Sequence, residues 1–218
     1  MDGYQRLSGQ QRDQRLPITL QIMRHLKDEI SKSSLPSLDK KMYWAAFTAA
    51  FTGLLRVSEY TAAAPNQFAA KQTLLLEDVT LHTDSVVLNL KSTKTDQFGY
   101  GYRLSLRKTG RSVYPVESLR AYTAVRTTMA SQREPLFIQS SGAYLTRSAV
   151  DFTLKKLLRA LPDHQKYSTH SFRIGGTTTA ALAGCEDSQI QRTGRWKSGC
   201  FAKYIRGTVP VDGINPYR

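Results

Sequence analysis

Residues 169–180 read THSFRIGGTTTA. His170 and Arg173 stand three positions apart, and on an α-helix residues so spaced share a face. Gly175 and Gly176 follow, then Thr177, Thr178 and Thr179. Each glycine costs about 1 kcal/mol of helix propensity relative to Ala, so close approach of another backbone has to offset it. A core helix gains nothing from either half of this pattern. A helix that grips an anion gains from both. With Thr169 as N-cap, His170 and Arg173 fall in the first turn, where the free N–H groups and the helix dipole already favour negative charge. Taken alone, the pair is better explained by His170 as a cap and Arg173 in a surface ion pair, because a two-residue pattern recurs by chance.

The flanking sequence adds to it. Downstream, residues 193–199 read TGRWKSG and residues 203–207 KYIRG. No acid intervenes between Asp187 and Asp212, whereas Arg192, Arg195, Lys197, Lys203 and Arg206 all do. Tyr204 is therefore a phenol in a locally positive stretch, although tyrosines are commonly core or interface residues. Upstream, residues 51–60 read FTGLLRVSEY. Arg56 comes directly after an apolar run, at a boundary where a guanidinium needs a partner, and Glu59 lies on its helical face. Residues 90–99, LKSTKTDQFG, carry Lys91 and Lys94 near a hairpin tip. Considered singly, these are solvated loop lysines.

Charge points in the same direction. Among 218 residues, 31 Lys and Arg face 17 Asp and Glu, a formal net charge of +14. Such a field favours a polyanion, and nucleic acid is the leading candidate. Arg103, Arg107, Lys108 and Arg111 form one basic run suited to a phosphate backbone, joined by Arg192, Arg195 and Lys197. Cys185 and Cys200 are the only cysteines, and there is no Cys/His cluster at ligand spacing. Neither a disulfide framework nor a metal site is expected, and no cofactor is called for. No long apolar run suggests a membrane span. The expected location is intracellular: the nucleus in a eukaryote, otherwise the cytoplasm or nucleoid.

Periodicity predicts a mostly helical α+β fold with one small antiparallel sheet. Helices are expected in residues 16–30, after Pro17 and Thr19; in the Ala-rich residues 38–52, ended by Gly53; from Arg56 or Val57; in residues 115–130; in residues 146–161, capped by Thr146; from Thr169 to Gly184; and in two short pieces in residues 186–196 and 200–206. Residues 84–90 and 102–106 read as strands, with residues 73–81 as a further one. Residues 1–15 are expected to form a flexible segment, residues 16–206 one domain, and residues 207–218 a tail.

In order along the chain stand TGLLRVSE, KSTKTD, HSFRIGG, GRW and KYIR. Together these resemble the catalytic domain of tyrosine recombinases, the phage-integrase family. RLPIT, STKTDQFG and GRWKS are most similar to recombinases of DIRS-like and Ngaro-like retrotransposons. The resemblance implies double-stranded DNA as partner, assembly as a dimer to tetramer on it, and a tail exchanged between protomers. It also implies a missing N-terminal DNA-clamping domain. By position, Arg56 and Arg173 match the two family arginines, His170 the histidine between them, and Glu59 the acid that supports Arg56. Lys94 matches the hairpin lysine, with Lys91 as fallback. Trp196 matches the position of a second His or Trp by residue type, but it precedes Tyr204 by eight residues where many members have nine, the place Arg195 holds. Tyr204 matches the nucleophile that forms a 3′-phosphotyrosine during DNA integration or site-specific recombination. A descendant that binds DNA without cutting it, and a type IB topoisomerase, are the alternatives.

Overall fold

The computed structural model describes residues 14–92, 100–108, 113–129 and 131–206. Lys94, Arg111, the tail and all but two residues of the expected N-terminal segment lie outside these.

Helix α1 (Leu20–Lys32) starts at Thr19, whose Oγ1 accepts the Ile22 N–H at 3.1 Å, and buries Met23, Leu26 and Ile30. Helix α2 (Ser37–Thr52) is the centre of the domain. Ala45, Ala46, Phe47, Ala49, Ala50 and Phe51 are all fully buried, so this helix is apolar around most of its circumference, as a helix enclosed by neighbours should be. The single-turn helix α3 (Val57–Tyr60) follows it. Helix α4 (Pro115–Arg126) packs beside α2, and the hydroxyls of Thr48 and Ser118 meet across that seam at 2.6 Å. Helix α5 (Arg147–Leu157) is capped by Thr146, as expected.

The sheet has the order β1-β2-β3 and is antiparallel throughout, from β1 (Val79–Leu81), β2 (Ser85–Leu90) and β3 (Tyr102–Arg107). Residues 73–81 become a strand only at their end, because Leu76–Asp78 form a 3-10 turn. Val86 pairs with Leu106 and Leu88 with Leu104, facing the core. The alternate residues Arg103, Ser105 and Arg107 face solvent, as a half-buried sheet requires.

Helix α6 (Thr169–Leu182) holds the opening stretch, and its glycines have identified neighbours. The chain enters the domain across this helix: Leu16 N–H donates to the Lys166 carbonyl at 3.2 Å and Ile18 N–H to that of Ser171 at 3.1 Å. A Cβ on Gly175 would overlap the Ile18 carbonyl, and one on Gly176 the Phe51 carbonyl of α2. Two main chains thus press on adjacent residues of α6. After it come α7 (Asp187–Gly194) and a 3-10 helix, Gly199–Tyr204, at the two short helical pieces expected. Leu54, Ala180, Ile190, Trp196 and Phe201 form a small apolar cluster separate from the main core, with Tyr204 packed on it.

Gly176→Ala is expected to lower folding stability by about 1–3 kcal/mol, the usual range for overpacking against atoms that cannot move aside. Gly199→Ala, where an added Cβ meets nothing within 4 Å, should stay within about 0.5 kcal/mol. Urea denaturation of the two variants checks this.

Candidate active site

Three arginines and one glutamate meet at the end of α2. The helix closes with a Schellman-type turn: Gly53 N–H donates to the Ala49 carbonyl at 2.8 Å and Leu55 N–H to that of Ala50 at 3.1 Å. The left-handed position in this turn belongs to Leu54, at φ +47°, and not to the preceding glycine. A branched side chain seldom takes that conformation, and such strain persists only where the surroundings hold it. Here two guanidiniums hold it. Arg195 donates Nη1 to the Gly53 carbonyl at 3.1 Å and Nη2 to that of Leu54 at 3.0 Å. Arg173 donates Nη1 to the same Leu54 carbonyl and Nη2 to that of Gly194 at 2.6 Å. Cations at a helix C-terminus gain from its dipole.

Glu59, 3 % exposed, ties this group together. Its Oε2 accepts the Arg56 N–H at 2.7 Å and Arg195 Nη2 at 2.7 Å, while Oε1 takes Arg56 Nη1 at 3.1 Å. Three guanidiniums against one carboxylate leave a surplus of positive charge. Burial adds to the cost of that surplus. Burial, reinforced by Arg195 and Arg56, pushes the Arg173 pKa down. Burial also pushes that of Arg195 down, against the pull of Glu59. A bound anion would relieve both.

The turn GRW explains itself residue by residue. Gly194 has no side chain because the Trp196 ring lies where its Cβ would be. Arg195 takes the left-handed position after α7, at φ +57°, and its side chain turns inward to Glu59. Trp196 spreads beneath Arg173, whose guanidinium carbon sits 4.0 Å from the indole centroid. Tyr204 completes the group. Its ring centroid lies 5.2 Å from those of His170 and Trp196 and 5.6 Å from the Arg173 guanidinium.

His170, Arg173, Trp196 and Tyr204 are therefore brought together, with Arg56 joined to them through Glu59 and Arg195. Trp196 is the member of the GRW turn that packs against Tyr204. Arg195, assigned to DNA binding on sequence, is 6 % exposed and packed inward, because Glu59 and the α2 carbonyls claim it. Lys91 is held by Asp78 at 3.0 Å and Glu77 at 3.4 Å. Tyr102, paired with Leu90 at the end of the hairpin where the connection leaves the strands, has its ring 5.9 Å from the Arg195 guanidinium. The hairpin arm that leads to Lys94 thus leaves from beside the cluster. Arg103, Arg107, Lys108, Arg192 and Lys197 are exposed.

A second expectation changes. The cap of α6 is Ser168, and the first-turn N–H groups serve the protein itself. Thr169 N–H donates to Asp151 Oδ1 at 2.7 Å, His170 N–H to Ser168 Oγ at 3.3 Å and Ser171 N–H to the Ser168 carbonyl at 2.9 Å. Any anion at this site is held by side chains and not by the helix end. Thr178, which no motif singled out, also belongs here: its Oγ1 donates to the Tyr204 carbonyl at 3.0 Å and accepts the Arg206 N–H at 3.2 Å.

No family model matches the chain, and no curated protein is similar to it. Solved structures are. The XerH site-specific recombinase, bound to its difH substrate in a pre-cleavage complex, superposes with a TM-score of 0.64 at 16% identity over 87% of this chain and 50% of that one. The XerA recombinase gives 0.63 at 19% identity over 88% and 60%. The Tn1549 transposon integrase in complex with transposon right end DNA gives 0.58 at 14% identity over 89% and 62%. The chain spans 50% to 62% of the length of these structures. The fold is that of tyrosine recombinase catalytic domains, the α+β type expected.

Glu59→Gln leaves the buried Arg195 without its counter-charge, and a loss of about 3–5 kcal/mol of stability is expected. The double variant Glu59→Gln/Arg195→Met should recover part of it. A thermal-denaturation double-mutant cycle measures the difference.

Proposed function

We propose that this chain is the catalytic domain of a tyrosine recombinase, cutting and rejoining DNA through a covalent tyrosine intermediate. The observation that carries this reading is the meeting of Tyr204, His170, Trp196 and Arg173 from three separate segments, beside the Glu59-linked Arg56.

A phosphodiester carries its charge on two non-bridging oxygens, and planar guanidiniums match that geometry. Arg56 and Arg173 are assigned to them. The Tyr204 phenol oxygen attacks phosphorus and the P–O5′ bond breaks, leaving a 3′-phosphotyrosine and a free 5′-hydroxyl. His170 takes the phenol proton or holds a phosphate oxygen. Lys94, outside the described residues, is assigned to protonate the departing O5′. Attack by a 5′-hydroxyl on the phosphotyrosine reverses the steps, so bond energy is conserved without ATP. Arg173 is 1 % exposed, packed against the Trp196 ring with that of Tyr204 nearby. For a phosphate to reach its guanidinium, this packing has to open.

The finer assignment, to a recombinase of a DIRS-like or Ngaro-like mobile element, rests on RLPIT, STKTDQFG and GRWKS; assembly as a dimer to tetramer on DNA, in the nucleus of a eukaryote or otherwise the cytoplasm or nucleoid, rests on the family resemblance. Covalent trapping tests the enzyme itself. On a randomised pool of nicked duplexes the wild-type chain should form an SDS-resistant protein–DNA adduct, Tyr204→Phe none, and Arg56→Ala should form it about 10²–10³ times more slowly. DNA retention without any adduct would instead identify a binding module.

Binding precedes cutting. Affinity for duplex DNA should fall linearly on a log–log plot against salt, with a slope of about −0.9 per phosphate neutralised. Replacing the exposed Arg103, Arg107 and Lys108 together by Ala should weaken binding and flatten that slope by about 1 for each phosphate no longer neutralised. Fluorescence anisotropy between about 50 and 200 mM salt, the range over which phosphate neutralisation is felt, measures it.

A further inference from the structure

Tyr204 is the last residue of a short 3-10 helix that touches the rest of the domain through the small apolar cluster. Apolar packing of that kind limits how far a segment strays but does not fix its register. A hydroxyl does so here. Thr178 is 1 % exposed on α6. Its Oγ1 donates to the Tyr204 carbonyl at 3.0 Å and accepts the Arg206 N–H at 3.2 Å, so one atom satisfies the main chain on both sides of Ile205. Its neighbour Thr177 bonds within the helix, to the Arg173 carbonyl at 2.7 Å. The two threonines are alike in sequence and different in task. Only a side chain that is both donor and acceptor can fill the position of Thr178.

We infer that Thr178 is a positioning residue for strand cleavage, holding the Tyr204 main chain at a fixed register on the helix that also presents His170 and Arg173. The assignment rests on the recombinase reading above. One rigid helix then sets both sides of the reaction: its first turns carry the phosphate-facing groups, and its later turn carries the tether of the nucleophile. Displacement of a reacting group by about 1 Å costs on the order of 10²-fold in rate, so loss of the tether acts on the chemical step and not on DNA affinity.

The test combines two readouts on the full chain, with the randomised pool of nicked duplexes as substrate. In Thr178→Val, adduct formation should slow by about 10–100-fold while the Kd for DNA stays within about twofold of wild type. Thr178→Ser, which restores the hydroxyl, should return the rate to within about threefold. Independently of cleavage, amide hydrogen exchange at Arg206 should quicken at least about tenfold in Thr178→Val and not in Thr178→Ser. Should Thr178→Val fail to fold, Thr178→Ala removes the hydroxyl without adding bulk and takes the same measurements. The inference is overturned if the variant lacking the hydroxyl cleaves within about twofold of wild type, or if Arg206 exchanges at an unchanged rate. The two assignments fail differently. A wild-type chain that forms no adduct, yet shows the exchange difference, keeps the tether and loses the enzyme. A Tyr204-dependent adduct indifferent to Thr178 keeps the enzyme and loses the tether.

Discussion

The buried carboxylate of Glu59 between Arg56 and Arg195 is the interaction on which the site depends. Like-charged guanidiniums repel, and burial raises the cost of each. One acid cannot neutralise three of them. The rest of the compensation comes from the end of α2, where Gly53 and Leu54 turn their carbonyls toward Arg195 and Arg173. The outcome is a cluster that is held together and still positive. On the function proposed above, that is the state a phosphate-binding site needs before its ligand arrives: charges fixed in place, so that little reorganisation is required when the anion enters.

Around that group, each neighbouring residue relieves a particular difficulty. Trp196 covers Arg173 with an aromatic face, which attracts a cation and excludes water at once. Gly194 leaves room for the indole. Phe201 and Ile190 extend the apolar surface on which Tyr204 rests. Gly175 and Gly176 let the entering chain and α2 close on α6, so that the end of α2 reaches the arginine on α6. The helix-propensity cost of two glycines is thereby converted into a contact between carbonyl and guanidinium.

Much of this was legible in the sequence, and the reasons for the rest are physical. The three-residue spacing of His170 and Arg173 placed both on the face that Tyr204 meets. The adjacent glycines announced close backbone approach, but nothing local says which backbone, since Ile18 and Phe51 are more than a hundred residues away in sequence. Gly53 marked the end of α2, yet the left-handed residue is Leu54, because tertiary bonds to its carbonyl outweigh the preference of glycine for that shape. The free N–H groups expected at the start of α6 are taken by Asp151 and Ser168, the former a partner on α5 that no window around His170 contains. Spacing to Tyr204 favoured Arg195 and residue type favoured Trp196. The structure separates their tasks, Arg195 turning to Glu59 and Trp196 to Arg173. Thr178 left no signal, because one of three consecutive threonines is distinguished only by what lies opposite it.

The anchoring of Arg173 has a consequence beyond this site. Its two described hydrogen bonds end on main-chain oxygens, those of Leu54 and Gly194. Every amino acid contributes the same oxygen, and it neither ionises nor changes with a codon. Side chains at residues 54 and 194 are free to drift only so far as shape allows, but no substitution there deletes the acceptor itself. The aim of an arginine tethered in this way follows the path of the chain at residues 54 and 194, and not the ionisation of a neighbouring acid.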